Sequence, residues 1–276
     1  YIIDKECNNL YRGVTVSPSI INSDIAHTSY TWQEWGAIID EGGHFKNNWP
    51  YTGEESLESY FTIVDNNLFA VGQGKDNKAY LFGFDYSGNM LPNFPIEIKP
   101  EEGFEYADFF RQVGLIKNNG ENYLGVLIAS LNEFSEDGGK KLFFAVYSET
   151  GNLVKRTLLS DDSLKSRVDY RGLNFASADF NNDGNSEIAI SYMIFDLENF
   201  PENRFKPETY SSYLKVLDSS GNIISEPFNI QGYSIGQIAI GNFNRGSPDI
   251  IFSLENTWPT TYLGQRLIGI SYLGDK

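Results

Sequence analysis

Five times this chain runs an apolar strand into a small polar turn that carries a glycine. The copies are residues 37–43 (AIIDEGG), 81–89 (LFGFDYSGN), 144–152 (FAVYSETGN), 214–222 (LKVLDSSGN) and 268–275 (IGISYLGD). Gly43, Gly88, Gly151, Gly221 and Gly274 anchor them. Glycine supplies the positive φ of a tight hairpin, and a neighbouring Asn or Asp tolerates the same region. After the first two copies the chain meets an aromatic-proline stop, at Trp49-Pro50 and Phe94-Pro95. A hairpin repeated this often, with no convincing amphipathic helix between copies, points to a radial or stacked β-repeat.

A second landmark precedes the later hairpins. Polar loops begin at Ile116 (IKNNG), Asp179 (DFNNDG) and Asn242 (NFNRG), each 63 residues after the last, and each leads into an apolar strand. The unit therefore reads strand, polar loop, strand, variable connection, strand, glycine turn, strand. That is a four-stranded antiparallel blade, and the expected class is an all-β propeller. Composition agrees: 26 Gly and 10 Pro punctuate 276 residues, and 20 Phe, 17 Tyr and 4 Trp supply bulk for packing between blades.

The segment DFNNDGNSEI, Asp179 to Ile188, resembles the calcium loop of FG-GAP/VCBS repeats, which build integrin α-like β-propellers. The segment GNMLPNFP from Gly88 is similar to such proteins too. The resemblance implies one propeller domain over residues 1–276, with approximate repeats 14–50, 51–100, 101–162, 163–232 and 233–276. The last repeat stops inside its hairpin, while an apolar strand at Tyr1-Ile2-Ile3-Asp4 has no hairpin of its own. Residues 1–13 are therefore expected to complete the last blade and close five blades, because closure removes exposed sheet edges. The alternative is a fragment of a six- or seven-bladed ring.

Calcium takes hard oxygen ligands, commonly from alternate positions of a tight loop. Asp179, Asn181 and Asp183 stand at positions 1, 3 and 5, Gly184 permits the turn, Asn185 offers a carbonyl, and Glu187 closes the set at position 9. Position 12, where an EF-hand needs Glu, is Ile190. These residues are the expected Ca²⁺ site. A weaker second site is expected at Asn242, Asn244 and Asp249, where Arg245 replaces the position-5 acid. Tyr30, Trp32, Trp35 and Trp258 offer rings for a ligand, or for packing between blades. The long connection 195–210, with Pro201 and Pro207, is a candidate recognition loop or a passive insertion.

With 21 basic and 37 acidic side chains the net charge is −16, which repels phosphate backbones and anionic lipid, so neither nucleic acid nor a membrane surface is an expected partner. The longest apolar run, 125–131 (GVLIASL), has the length of a strand. One cysteine, Cys7, allows no internal disulfide. No nucleophile elbow or phosphate loop is present, and adjacent acids such as Glu54-Glu55 read as solvated surface. The expectation is an extracellular, secreted or cell-surface module without enzymatic activity, stabilised by calcium and binding a protein or glycan ligand. A polysaccharide-active enzyme or enzyme-associated domain, and a structural subunit of a surface layer or filament, stand as alternatives.

Overall fold

The computed structural model describes the chain continuously over 61–132, 140–164, 168–196, 209–225, 228–241 and 249–255. It also describes the strand 265–271 and shorter pieces between residues 2 and 59. Among the described residues every named element is a strand and every strand pairing is antiparallel. Sheet III runs in simple order: β11 (Tyr106–Asn118), β12 (Glu121–Leu131), β13 (Lys140–Ser148), β14 (Leu153–Asp162). Sheet IV repeats it with β15 (Val168–Ala178), β16 (Glu187–Asp196), β17 (Tyr210–Leu217) and β18 (Phe228–Gln231). Sheet V holds β19 (Ser234–Gly241), β20 (Asp249–Glu255) and β21 (Gln265–Ser271). Sheet II gathers β6 (Ser56–Leu57), β7 (Thr62–Val64), β8 (Asn67–Gln73), β9 (Ala79–Asp85) and β10 (Ile96–Glu97). Sheet I holds β3 (Ser19–Ile21), β4 (Asp24–Thr28) and β5 (Gly36–Ile39).

The period of two along each strand explains how the sheets stack. Leu124, Val126 and Ile128 of β12 pack toward sheet II, in one cluster with Phe69, Val71, Leu81 and Phe94. The intervening Leu127, Ala129 and Leu131 pack toward sheet IV, with Ile188, Ile190 and Tyr192. Sheets II and IV likewise each give side chains to two clusters. A sheet buried on both faces reads as a continuous apolar run, which is why β12 looks uniformly hydrophobic. The first strands β11, β15 and β19 pack successively on one another, and the fourth strands β14 and β18 lie at the outer edge of their sheets. Sequential antiparallel sheets stacked face to face, with their first strands together, form a β-propeller arrangement.

The glycine turns fasten neighbouring sheets. Gly151 has φ 87° and abuts Ile96 and Phe94 of the preceding sheet; a Cβ there would run into Ile96. Gly221 has φ 80° and lies against Thr157 and Lys155, and its carbonyl accepts a hydrogen bond from Thr157 Oγ1. Gly88 meets Asn48 and Trp49 in the same way. The repeated glycine therefore serves the turn and the contact together.

The expected pairing of β1 with β21 is not seen among the described residues. β1 (Ile2–Ile3) pairs with β2 (Asn9–Tyr11) in a separate two-stranded sheet, and among the described residues β21 pairs with β20 alone. A hairpin closed by a few residues orders far less chain than a pairing across the whole molecule.

Candidate functional site

The loop from Asp179 to Glu187 joins β15 to β16 and is built on its own side chains. Asn182 has φ 61° and Gly184 φ 88°, the left-handed steps that curl it. Asp179 accepts the N–H groups of Asp183 at 3.0 Å and Gly184 at 2.8 Å. Asp183 accepts the Asn185 N–H at 2.8 Å, and that backbone bond holds its carboxyl below the usual range. Glu187 is 3% exposed and accepts the Phe180 N–H at 2.7 Å. Burial raises the Glu187 pKa; the Phe180 N–H opposes this, and the charges of Asp183 and Asp179 add to it. The Asn181 Nδ2 donates to both Asp183 Oδ2 and Glu187 Oε1, at 3.1 Å each.

The residues expected to bind calcium lie together in this loop. The oxygens are the kind calcium prefers, and the Asn181 amide bridges two carboxylates as a cation would. Yet no three His, Cys, Asp or Glu side chains among the described residues converge closely enough to hold a metal ion. Asp179 serves the backbone, and the Asn185 side chain, which also hydrogen-bonds the Asp183 carboxyl, accepts the Asn119 N–H of sheet III through Oδ1 at 2.7 Å. Ser186 completes that docking by exchanging hydrogen bonds with the Lys117 backbone.

Of the weaker metal site, Asp249 starts β20, 3% exposed and paired with Gly241 and Ser271. Asn242 and Asn244 lie outside the described residues, as do Tyr30, Trp32, Trp35, Trp258 and connection residues 197–208.

The opposite end of the sheets holds a cluster that sequence reading missed. Within each sheet the hairpins lie at one end and the long connections at the other. At the connection end the first strands β11, β15 and β19 each slip register, at Phe109/Val113, Arg171/Asn174 and Ile235/Ile238. Such bulges re-aim side chains and recur beside active sites. Just ahead of the bulge in β15, Asp169 pairs through Oδ1 with Lys140 Nζ at 3.6 Å and through Oδ2 with Arg171 Nε at 2.6 Å. The Lys140 side chain is nearly buried, whereas that of Arg171 is 46% exposed, and its guanidinium lies over Phe195. Between Asp169 and Arg171, Tyr170 points into the protein and donates its O–H to Asp162 at 2.9 Å. Burial, reinforced by the Asp162 charge, pushes the Tyr170 pKa far up, so it holds its proton. On β11, Asp108 is exposed ahead of the matching bulge. The only sequence sign is the triplet Asp169-Tyr170-Arg171 opening a strand, which is too short to distinguish.

No family model matches the chain, and no curated protein sequence matches it. Solved structures do resemble it. One is a Bombyx mori GH32 β-fructofuranosidase in complex with sucrose, 11% identical, covering 87% of this chain and 55% of that chain, with a TM-score of 0.47. Another is the subtype N11 neuraminidase-like protein of A/flat-faced bat/Peru, 11% identical, covering 93% of this chain and 73% of that chain, with a TM-score of 0.43. The chain thus spans about half the length of the fructofuranosidase. At this identity the likeness is one of fold. The expectations of a recognition or adhesion module and of no enzymatic activity are not met by these two neighbours, which are a β-fructofuranosidase and a neuraminidase-like protein. The repeats specify how sheets pack; they do not specify what the connection end does.

Proposed function

We propose that the chain is a polysaccharide-active enzyme domain, or a domain associated with one, working at its connection end. One observation carries this reading: adjacent first strands each present an aspartate ahead of a bulge, Asp108 on β11 and Asp169 on β15. Glycoside hydrolysis uses two carboxyl groups flanking the scissile bond, one to protonate the leaving oxygen and one to attack or to activate water. Asp169 is tethered by Lys140 and Arg171, which orients it for such a role, while Asp108 is exposed to solvent. Tyr170 and Asp162 anchor the strand behind Asp169.

Calcium belongs to this reading as a stabilising ligand of the Asp179–Glu187 loop, taking over the bridge that the Asn181 amide makes between Asp183 and Glu187. Sites of this kind suit an extracellular or cell-surface setting, where calcium is abundant. The test is reducing-sugar release by the full chain from a panel of neutral and acidic polysaccharides. Wild type releases sugar from at least one, and Asp169→Asn lowers kcat by roughly 100-fold or more with its melting temperature retained. No release from any member of the panel overturns the proposal.

A further inference from the structure

A second opening lies at the hairpin end, where sheets III and IV meet. Its volume is about 250 Å³. The apolar wall is the Tyr123 ring with Val146 and Val154, and the polar side is Asn118, Ser219 and Lys155. Ser219, 8% exposed, donates from Oγ to Asn118 Oδ1 at 3.1 Å and so ties the two sheets across the floor. That bond uses the Asn118 oxygen and leaves its NH₂ group as the donor. Lys155 is held by Asn222 of the next turn, and Val154 is 57% exposed at the rim. Beside it the Gly221 turn lies close against sheet III, where a Cβ would stand 3.2 Å from Thr157 Oγ1 and 3.7 Å from Val146 Cγ2.

From this geometry we infer a binding subsite for one neutral sugar ring. A pyranose has an apolar C–H face and a rim of hydroxyls, and the cleft sets a ring and two valines against an amide donor, an ammonium donor and the accepting Ser219 oxygen. The volume suits one ring rather than a longer segment. The net charge of −16 disfavours an anionic sugar. The choice of ligand rests on the glycan reading above; the cleft itself is at the opposite end from Asp108 and Asp169. It would hold a polysaccharide on the protein without taking part in cleavage.

The experiment is saturation-transfer NMR on the full chain with maltose, cellobiose and lactose as probes and galacturonic acid as the anionic comparison. The expected result is transfer to at least one neutral disaccharide and tenfold or more weaker binding in Val154→Glu. The Val154 side chain is exposed, so that variant keeps the fold. Transfer to none of the three, binding that survives Val154→Glu, or preference for galacturonic acid overturns the inference. Sugar release lost in Asp169→Asn together with binding indifferent to Val154→Glu removes this subsite and leaves the enzymatic reading standing. Binding sensitive to Val154→Glu with no sugar release from any polysaccharide does the reverse.

Discussion

The seam between sheets II and III and the seam between sheets III and IV are held differently. The first is mostly hydrocarbon, Val64, Phe69, Val71, Leu81, Phe94 and Ile98 against Val113, Leu124, Val126, Ile128 and Tyr147, with the Thr62 hydroxyl donating to the Val113 carbonyl. The second has its own apolar core but is stitched along its length as well. Gln112 donates to Phe175 O at 2.7 Å and accepts the Phe175 N–H at 3.2 Å, standing in for a neighbouring strand on the edge of β15. Ser177 Oγ donates to Leu115 O at 2.6 Å. On β14 a register shift leaves Leu159 unpaired in the ladder, and its carbonyl accepts from both Tyr192 O–H and Lys215 Nζ of sheet IV. Apolar contact is strong but indifferent to sliding. Directional bonds fix where one sheet stops against the next, and the Asp179–Glu187 loop and the Asp169 cluster sit at the two ends of the stitched seam.

The comparison can be broken or sharpened by measurement. Phe69→Ala should destabilise the protein by about 3–5 kcal/mol in chemical denaturation, because Phe69 is fully buried in the apolar seam. A cost below 1 kcal/mol would mean that this seam collapses to fill the void. The stitched seam should show itself in alkali. Burial raises the pKa of Tyr170 and Tyr192, so the folded state keeps both protons while the unfolded chain loses them near pH 10. Stability is therefore whole below pH 10 and falls above it, by roughly 3 kcal/mol for the pair at pH 11. Tyr192→Phe should flatten that slope in urea titrations at pH 9 to 11.

Calcium at a hundredfold excess over its Kd should add about 2.7 kcal/mol, raising the melting temperature above that in EDTA. Asp183→Ala should abolish the difference, and an unshifted wild type would reduce the loop to a turn. Gln112→Leu should cost about 1–3 kcal/mol by orphaning the Phe175 backbone groups, and Gln112→Glu should recover little because one donor is still missing. Smallest is Lys155→Ala, at about 0.5 kcal/mol or less by thermal melting, since its bond to Asn222 is exposed.

The strand class and the four-stranded order were legible because they are local. Alternation in β12 and the turn at 148–152 are readable within a few residues of themselves. The metal loop was legible as a turn: Asp179, Asn181 and Asp183 do curl it, with Gly184 at positive φ. Its carboxylates are spent on backbone N–H groups and on Asn181, a competition that spacing alone does not reveal. The Asp169 cluster was illegible because Lys140, Asp162 and Tyr170 meet only after β13, β14 and β15 have taken their register. Where the N-terminal strand pairs was illegible for the opposite reason. Removing a free edge favours a distant pairing, but Ile2–Ile3 has a nearby partner in Asn9–Tyr11.

The turn glycines carry one further consequence. In sheets II, III and IV the same turn rests on residues that precede its own sheet or lie on the last strand of the sheet before: Trp49 against Gly88, Ile96 against Gly151, Thr157 against Gly221. Sheets II and III each own both halves of a fastening, a glycine that plugs backward and a socket that receives the next. A gene segment encoding such a unit, copied in tandem, arrives already able to join its neighbour. Such an array lengthens or shortens by whole units, while a side chain placed at Gly151 would have to displace Ile96.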